Sequence, residues 1–426
     1  MTTKTDVLII GGSSIGLNCA YYLLKAGRSV TIVDQKQVAL GSASGNAGHI
    51  VPSHIIPLAA PGMVGTSLKW MLKPSTSPFS MKLSLDPKYL SWLLQFAFSC
   101  SDANVRRSIP ALKSLGLKSA KNFVQMIEEE GFDCNYSPTG LLFLYQTQEA
   151  FAGGKHEAQV LHENGLPADV LDQGQVRQRE PLVLPDVIGG VHFTGDASLN
   201  PAIFLRQLAE RVRQMGAEII ENEPVTSIES SAGKVTRVIT SRKEFEPALV
   251  VLAAGSWSPE IAAGLKLRIP IQPARGYSLT AKAPAGMPRQ ALILGERRVA
   301  VTPLGDLMRI AGRLELSPLD TSVRQKMITG IEQAYREYLR LDEKLEIQET
   351  WAGLRPTTPD GLPLIGWSPR QSNLLFASGH AMLGLSLGPG TGEVIADLAS
   401  GSAAKFDLTP FGLERFNRVH PKTLAG

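Results

Sequence analysis

Cysteine, long apolar runs and blocks of like charge are all scarce in this chain of 426 residues. Its three cysteines, Cys19, Cys100 and Cys134, have no metal-ligand spacing, and thiols scattered in this way are typical of a reducing compartment. No apolar run reaches the roughly 18 residues that cross a bilayer. The run at residues 7–10 is too short for the core of a signal peptide. We therefore expect a cytoplasmic protein without a metal ion, and leave open a peripheral contact with the inner face of the cell membrane.

The charge balance argues against a nucleic-acid partner. Lys and Arg number 43 and Asp and Glu 39, which gives a net charge of +4, and no block of like charges is present. Mild basicity is compatible with an anionic substrate, an anionic membrane surface or an ordinary solvated surface. With 43% hydrophobic residues the chain can bury large cores, and its length predicts two domains. The oligomeric state is not predicted.

The first 34 residues have the pattern of a dinucleotide-binding unit. Residues 7–10 are an apolar run typical of a buried parallel strand, and Gly11 breaks it. A helical pattern follows, in which Gly16 allows close packing of the helix on the strand. Residues 30–33 form a second apolar run, and Asp34 follows where an acidic residue accepts hydrogen bonds from a ribose. The free N–H groups at the start of the helix are suited to a pyrophosphate.

Ser13 departs from the usual glycine fingerprint, because it occupies the position of the second glycine. Its Cβ crowds the approach of the backbone to the pyrophosphate, although its hydroxyl can donate to a phosphate oxygen. Only one fingerprint occurs, so two separate dinucleotide folds are not expected, and this segment does not distinguish FAD from NAD. The candidate contacts at this end are Gly11, Ser13, Ser14, Ile15, Gly16, Asp34 and Gln35.

Five later motifs carry a family resemblance. They are GNAGHI (45–50), VLAAGSWS (251–258), ARGYSLT (274–280), WAGLRPTTPDGLPLIG (351–366) and GHAMLGLSLGPGTG (379–392). Together they resemble the D-amino acid oxidase/glycine oxidase superfamily, and within it they are most similar to the bacterial FAD-containing D-amino acid dehydrogenases. The resemblance runs from the first strand to the last helix.

The resemblance implies an α/β fold of two parts. A Rossmann-like FAD-binding domain would comprise residues 1–85, 198–259 and 350–426. A mixed-sheet α+β substrate domain of the glycine oxidase/D-amino acid oxidase type would comprise residues 86–197 and 260–349.

The resemblance also implies which residues hold FAD. Reduced flavin is anionic, and the segment 384–392, which leads into the last helix, would supply N–H donors to it; the alternative is a glycine-rich loop that only caps this helix. The implied contacts are Ser42, Asn46, Ala47, Gly48, His49, Ile50, Val225, Ala254, Gly255, Trp257, Gly379, His380, Gly384, Leu385, Ser386 and Leu387.

Four residues are candidates for the substrate site. Arg355 would bind a substrate carboxylate, since its planar fork matches that group and its neighbours are apolar; the alternative is a structural ion pair. Tyr277 would contact the substrate from the other side or pack in the core. His49 and His380 would tune the site or be ordinary loop histidines. We assign no base, because hydride transfer from a neutral amine needs none.

The expected activity is FAD-dependent dehydrogenation of a D-amino acid, with cyclic substrates such as D-proline or hydroxy-D-proline included. Electrons would pass to a respiratory acceptor, a quinone or a carrier. Two alternatives remain: a glycine- or sarcosine-type oxidase that uses O₂, and a non-catalytic flavin subunit of a larger complex. Residues 52–98 resemble an interfacial membrane contact, or else pack between domains. Their aromatic and basic side chains are Trp70, Trp92, Lys69, Lys73, Lys82 and Lys88.

Overall fold

A computed structural model describes residues 2–71, 77–81, 84–284, 286–340 and 344–416. The strands are β1 (Thr2–Ile10), β2 (Val30–Val33), β3 (His49–Ile50), β4 (Phe79–Met81), β5 (Leu141–Tyr145), β6 (Asp169–Asp172), β7 (Gly189–Phe193), β8 (Ala197–Ser198), β9 (Glu218–Ile220), β10 (Val225–Ser231), β11 (Lys234–Thr240), β12 (Glu244–Leu252), β13 (Gln272–Lys282), β14 (Ala291–Leu294), β15 (Val299–Leu304), β16 (Leu307–Leu316), β17 (Ile347–Thr357), β18 (Leu364–Trp367) and β19 (Leu374–Ser378). The α-helices are α1 (Ser14–Lys25), α2 (Met63–Met71), α3 (Pro87–Ser99), α4 (Asp102–Glu130), α5 (Gln148–Glu163), α6 (Gln173–Arg179), α7 (Pro201–Gln214), α8 (Ser258–Ala263), α9 (Gln325–Tyr338) and α10 (Gly388–Ala399).

The first sheet contains the predicted dinucleotide-binding unit. Its strands run in the order β10-β11-β12-β1-β2-β9, and β19 pairs with β12 and with β18. The pairs β1–β12, β1–β2, β2–β9 and β12–β19 are parallel, with Ile10 beside both Val33 and Leu252. The carboxyl ends of β1, β2 and β12 therefore meet at one edge, where doubly wound sheets bind their ligands.

Helices α1, α7 and α10 cover one face of the first sheet, and α4 packs against them. Leu112, Leu115, Phe123 and Met126 of α4 are buried in the same core as Leu17 of α1. Residues 102–130 were predicted to belong to the substrate domain, but their apolar side chains pack with the helices of the first sheet.

The second sheet has the order β17-β13-β16-β15-β14-β5-β7-β6, and β4 pairs with β16. It is mixed, since β14–β5 and β16–β4 are parallel and the other pairs are antiparallel. Helix α9 packs on one face, with Ile328, Ile331 and Tyr335 in a common core with Leu279 and Ile310. The predicted α/β class is confirmed by these two sheets and their helices.

The predicted domain boundary at residue 350 falls inside β17. This strand pairs with β13 over its whole length, from Ile347 beside Ala281 to Thr357 beside Gln272. Residues 350–357 therefore lie in the second sheet, and Arg355 projects from it. Among the helices that the structure describes, none is long and apolar enough to cross a membrane.

Candidate functional site

A cavity of about 560 Å³ begins at the carboxyl edge of the first sheet and reaches the second sheet. This volume is in the usual range for ligand sites. At one end the cavity is lined by Gly11 and Asp34, and at the other by Arg355, Gly379 and His380. One continuous space thus joins the dinucleotide turn to the arginine that was predicted to bind a carboxylate.

The turn between β1 and α1 needs glycine at two positions. Gly11 has φ +109°, and a Cβ there would lie 2.6 Å from the carbonyl oxygen of Ala253. A Cβ at Gly16 would lie 1.8 Å from the carbonyl oxygen of Gly11. In the described part of the chain no side chain caps α1, and Ser13 lines the cavity at the position of its N-cap. The first N–H groups of α1 are therefore available to an anion such as a pyrophosphate.

Asp34 lines the cavity and also closes the turn. Its carboxylate accepts hydrogen bonds from the backbone N–H of Gly12, at 2.7 Å, and of Lys36, at 2.8 Å. Burial raises the pKa of Asp34 above its ordinary value. The remaining lone pairs of the carboxylate can accept ribose hydroxyls. The glycine turn, the uncapped helix and this carboxylate together fit a dinucleotide cofactor.

Two more glycines with positive φ, Gly255 and Gly379, lie where β12 and β19 end against the cavity. His380 follows Gly379, and its Nε2 lies 3.0 Å from Oγ1 of Thr391. Burial lowers the pKa of His380 to about 3, so the imidazole is neutral at ordinary pH. Its Nδ1 is buried and has no hydrogen-bond partner among the described residues. A bound cofactor is a candidate partner for that atom.

Arg355 is the cation at the end of the cavity formed by the second sheet. Its Nη1 donates to the carbonyl oxygen of Arg313 at 2.9 Å. The guanidinium lies over Gly276, since a Cβ on that glycine would be 2.2 Å from Arg355 Cζ. Surrounding protein lowers the pKa of Arg355 to about 10, which leaves it cationic at neutral pH. None of the ion pairs between described residues includes Arg355, so its charge is available to an anionic ligand.

The structure puts Tyr277 on the other face of the second sheet. Side chains alternate along a strand, and Ala274 and Gly276 share the face of Arg355, whereas Tyr277 points the opposite way. Its hydroxyl donates to Glu315 Oε2 at 2.7 Å, and its ring is fully buried in the core beneath α9. The predicted contact of Tyr277 with the substrate is therefore corrected, because the register of β13 turns this side chain away from the cavity.

His49 is also held by the second sheet. Its Nε2 lies 2.9 Å from Oγ1 of Thr302, and burial lowers the pKa of His49 to about 3. Gly48 has φ +83°, and a Cβ there would lie 2.1 Å from the carbonyl oxygen of Leu199. Ser386 accepts a hydrogen bond from the N–H of Val51 at 2.8 Å. His49, Gly48 and Ser386 therefore make contacts that hold the segment around residues 46–51, of which Asn46 lines the cavity.

Most predicted contacts line the cavity, and a minority lie behind its wall. The lining includes Gly11, Ser13, Ser14, Ile15, Asp34, Gln35, Ser42, Asn46, Val225, Ala254, Gly255, Trp257, Arg355, Gly379, His380, Gly384 and Leu385. The described lining does not include Gly16, Ala47, Gly48, His49, Ile50, Tyr277, Ser386 or Leu387.

Several lining residues were missed by sequence reasoning. Trp351 is the clearest, and it begins a motif that was singled out. A second group follows β2 or precedes β10, where no periodic pattern marks them, and only their closeness to Asp34 and Val225 was a signal. They include Lys36, Gln37, Leu40, Gly41, Glu223 and Pro224.

Comparison with known proteins agrees with this geometry. Residues 6–398 match the model of the DAO family, described as FAD dependent oxidoreductase. A D-amino acid dehydrogenase of Xanthobacter autotrophicus is 30% identical over 417 residues, which are 96% of this chain and 99% of that protein. A D-amino acid dehydrogenase of Helicobacter pylori is 29% identical over 401 residues, 94% of this chain and 96% of that protein.

Two solved structures share the fold. Glycine oxidase from Geobacillus kaustophilus superposes with a TM-score of 0.81 at 23% identity and covers 97% of this chain and 99% of its own. L-proline dehydrogenase from P. horikoshii has a TM-score of 0.75 at 20% identity and covers 98% of this chain and 99% of its own. The family match makes FAD the cofactor of this chain. The chain belongs to the DAO family of FAD-dependent oxidoreductases.

Proposed function

We propose that this protein oxidises the Cα–N bond of a D-amino acid and passes the electrons to an acceptor other than O₂. The observation that carries the proposal is Arg355, a cationic guanidinium in the FAD cavity without a carboxylate partner among the described residues. Arg355 is half-buried, and a cation that is partly removed from water is stabilised when a ligand supplies the opposite charge. The carboxylate of an amino acid is such a ligand, and relatives of near-full-length similarity carry the name D-amino acid dehydrogenase.

FAD and two residues of the cavity have separate roles in the proposed reaction. FAD, when bound, supplies the hydride acceptor. Arg355 binds the substrate carboxylate and so orients Cα, since its fork makes two parallel hydrogen bonds. His380 is neutral at ordinary pH and too weakly basic to hold a proton there, because burial lowers its pKa to about 3. A neutral amine needs no protein base for hydride loss, so the absence of a basic role for His380 agrees with this chemistry.

Cyclic imino acids such as D-proline and hydroxy-D-proline are included among the candidate substrates. Arg355 would bind the carboxylate, which amino acids with a primary amine and those with a cyclic secondary amine share, and this contact leaves the substitution of the nitrogen open. An anaerobic flavin-reduction screen against both enantiomers of the common amino and imino acids identifies the substrate. Bleaching by D-substrates is expected, whereas an L-substrate that bleaches the flavin faster would contradict the stereochemical part of the proposal.

The role of Arg355 is tested with Arg355→Ala and Arg355→Lys. Loss of a charge-assisted pair costs about 1.5–3 kcal/mol, so the substrate Kd in flavin reduction should rise about 10- to 150-fold in Arg355→Ala. Lysine keeps the charge but not the fork, so it should recover only part of the loss. Arg177→Ala, an exposed residue of α6, is the control and should behave as the wild type. Unchanged substrate binding in Arg355→Ala would refute the assignment.

The electron acceptor is tested by comparing products. A dehydrogenase should turn over rapidly with an artificial dye or a quinone and form little peroxide in air. Peroxide formation at the rate of dye reduction would favour the oxidase alternative instead. Flavin that no amino acid reduces would favour a non-catalytic subunit.

We also propose that the protein contacts an anionic membrane surface through α3 and α2, where it would reach a respiratory electron acceptor. Leu90, Leu94 and Phe98 form an exposed stripe at four-residue spacing on α3, and Phe98 is 76% exposed. Lys88 of α3 and Lys69 of α2 are also exposed and suit anionic headgroups. On α2, Val64 and Leu68 are exposed apolar side chains as well.

Trp92, which was part of the predicted membrane patch, instead faces inward. It is buried, and its Nε1 donates to the carbonyl oxygen of Thr357 at 3.1 Å. Lys73 and Lys82 lie outside the described residues. Vesicle co-sedimentation tests the surface: binding to anionic vesicles should be lost in a Leu94→Glu, Phe98→Glu double variant and kept in Val170→Glu, an exposed residue of β6. Equal recovery of the wild type, the double variant and Val170→Glu with the vesicles would contradict the proposed surface.

A further inference from the structure

Consecutive carbonyl groups of the loop of residues 44–49 accept hydrogen bonds from side chains of the second sheet. Arg309 Nη1 donates to the carbonyl oxygens of Ser44, at 2.6 Å, and Asn46, at 3.0 Å. Ser278 Oγ donates to the carbonyl oxygen of Gly45, which lies between them, at 3.0 Å. Three successive peptide groups of the cavity loop are thus held from one side by two side chains.

The contacts come from four adjacent strands. Ser278 of β13 is beside Trp351 of β17, and Arg309 of β16 is beside Thr302 of β15. The ring of Trp351 fills the space at Gly45, where a Cβ would lie 2.1 Å from it. Thr302 holds His49 at the far end of the loop. The loop therefore crosses β17, β13, β16 and β15, and each strand contributes one residue that contacts it.

Arg309 is costly to bury, which suggests that its position matters. It is 4% exposed, and burial lowers the pKa of its guanidinium. Besides the loop carbonyls it has only Thr280 Oγ1, at 3.1 Å, and the half-exposed Glu349, at 3.6 Å, as polar partners in the described contacts. Hydrogen bonds from a charged donor are stronger than those between neutral groups, so the two loop carbonyls are a substantial part of what offsets the desolvation of Arg309.

The same face of the same sheet carries Arg355. Ser278 and Gly276 are two positions apart on β13 and therefore lie on the same face, and Arg355 lies over Gly276. The loop that lines the FAD cavity through Asn46 and the arginine that would bind the substrate are therefore both anchored to one rigid sheet. Neither Arg309 nor Ser278 is part of the described cavity lining.

We propose that Arg309, assisted by Ser278, is a positioning residue that fixes the cofactor side of the cavity relative to the carboxylate site at Arg355. The proposal rests on the function proposed above. It differs from a binding role, because Arg309 reaches the substrate only through the loop and the sheet. Reaction rates are sensitive to this kind of registration, and a displacement of about 1 Å can cost about 100-fold.

The test compares Arg309→Met and Arg309→Lys with the control Arg336→Met, an exposed residue of α9. In Arg309→Met we expect the rate of anaerobic flavin reduction at saturating substrate to fall about 10- to 100-fold. The substrate Kd should change little, unlike in Arg355→Lys. The visible circular dichroism of the oxidised FAD should change, and protease cleavage within residues 41–50 of the apoprotein should become faster. Arg309→Lys, which keeps one charged donor, should recover part of each effect.

Wild-type reduction rate and dichroism in Arg309→Met would overturn the proposal, as would a rise in substrate Kd with an unchanged limiting rate. If Arg309→Met does not fold, Ser278→Ala supplies the same readouts with smaller effects, and an unchanged loop there overturns the proposal as well. If no amino acid reduces the wild-type flavin, the proposed function fails. Dichroism and loop proteolysis then still decide whether Arg309 positions the loop.

Discussion

Replacing Gly276 by alanine should disable the carboxylate site without touching its charge. Gly276 has an ordinary strand backbone, so alanine itself is not strained there. The new Cβ would lie 2.2 Å from Cζ and Nη1 of Arg355 and 2.4 Å from Nη2. Carbon contacts are normally about 3.5 Å or more, so the guanidinium must move by at least about 1.3 Å. Such a move also breaks the 2.9 Å hydrogen bond from Arg355 to the carbonyl oxygen of Arg313.

The expected result of Gly276→Ala is a loss of about 10- to 100-fold in kcat/KM for the amino acid substrate. FAD content should stay normal, because β13 does not form the dinucleotide turn. The matched control is Gly153→Ala in α5, where a Cβ meets nothing within 4 Å and a small gain in stability is expected. Steady-state kinetics and flavin absorbance measure both variants. Wild-type kcat/KM in Gly276→Ala would refute the placement of the Arg355 guanidinium over this glycine.

Three further predictions concern the turn, the far face of the second sheet and a buried carboxyl. Gly16→Ala should lose FAD and much of its stability, because its Cβ would lie 1.8 Å from the carbonyl oxygen of Gly11; flavin content and Tm would both have to stay normal to contradict this. Tyr277→Phe should leave kcat/KM unchanged but cost about 1–3 kcal/mol of unfolding free energy, since Glu315 loses a buried donor; a steep loss of turnover with normal stability would return Tyr277 to the substrate site. Asp196 holds its proton to a pKa of about 7 in the folded protein, because it is buried, against 3.8 in the unfolded chain. Between these two pKa values the folded state binds more protons than the unfolded chain. The contribution of Asp196 to the free energy of unfolding therefore falls as pH rises from about 4 to 7, by on the order of 4 kcal/mol at most. Asp196→Asn should remove that fall, and a stability difference from the wild type that is independent of pH would contradict the assignment.

The dinucleotide turn was predictable because its signals are local. Gly11, Gly16 and Asp34 act through the chain immediately around them, and a strand, a tight turn and a helix N-terminus follow directly from the residue pattern. The same holds for Arg355 as the candidate cation, which stands out by its apolar surroundings. These residues line or support the cavity without any need to know how distant segments pair.

The orientation of Tyr277 was not predictable in this way. The side of the sheet to which a strand residue points depends on the register of the strand and on which faces of the sheet are buried. In residues 274–280 the small side chains Ala274, Gly276 and Ser278 share one face of β13, on which Ser278 contacts the loop of residues 44–49, whereas Tyr277 lies on the opposite face in the core beneath α9. That alternation of small and large side chains was a usable signal, since a strand that approaches another backbone closely tends to carry small residues there.

The domain boundary and the loop fastening depend on tertiary pairing alone. Nothing in the motif at residues 351–366 separates its first residues, which pair in the second sheet, from its last ones, which enter β18 of the first sheet. The contacts of Arg309 join residues 263 and 265 positions apart in sequence. Such contacts leave no local pattern, because the sequence around each residue does not depend on its distant partner.

The most direct test of the proposed chemistry is anaerobic reduction of the bound flavin by D-amino acids, followed in the visible absorbance of the wild type and of Arg355→Ala. The account predicts that at least one D-amino or D-imino acid bleaches the wild-type flavin. It also predicts that the variant, with its FAD still bound, needs about 10- to 150-fold more substrate to reach the same rate. A flavin that no amino acid of either hand reduces would contradict the account, and so would equal reduction of the wild type and Arg355→Ala at low substrate.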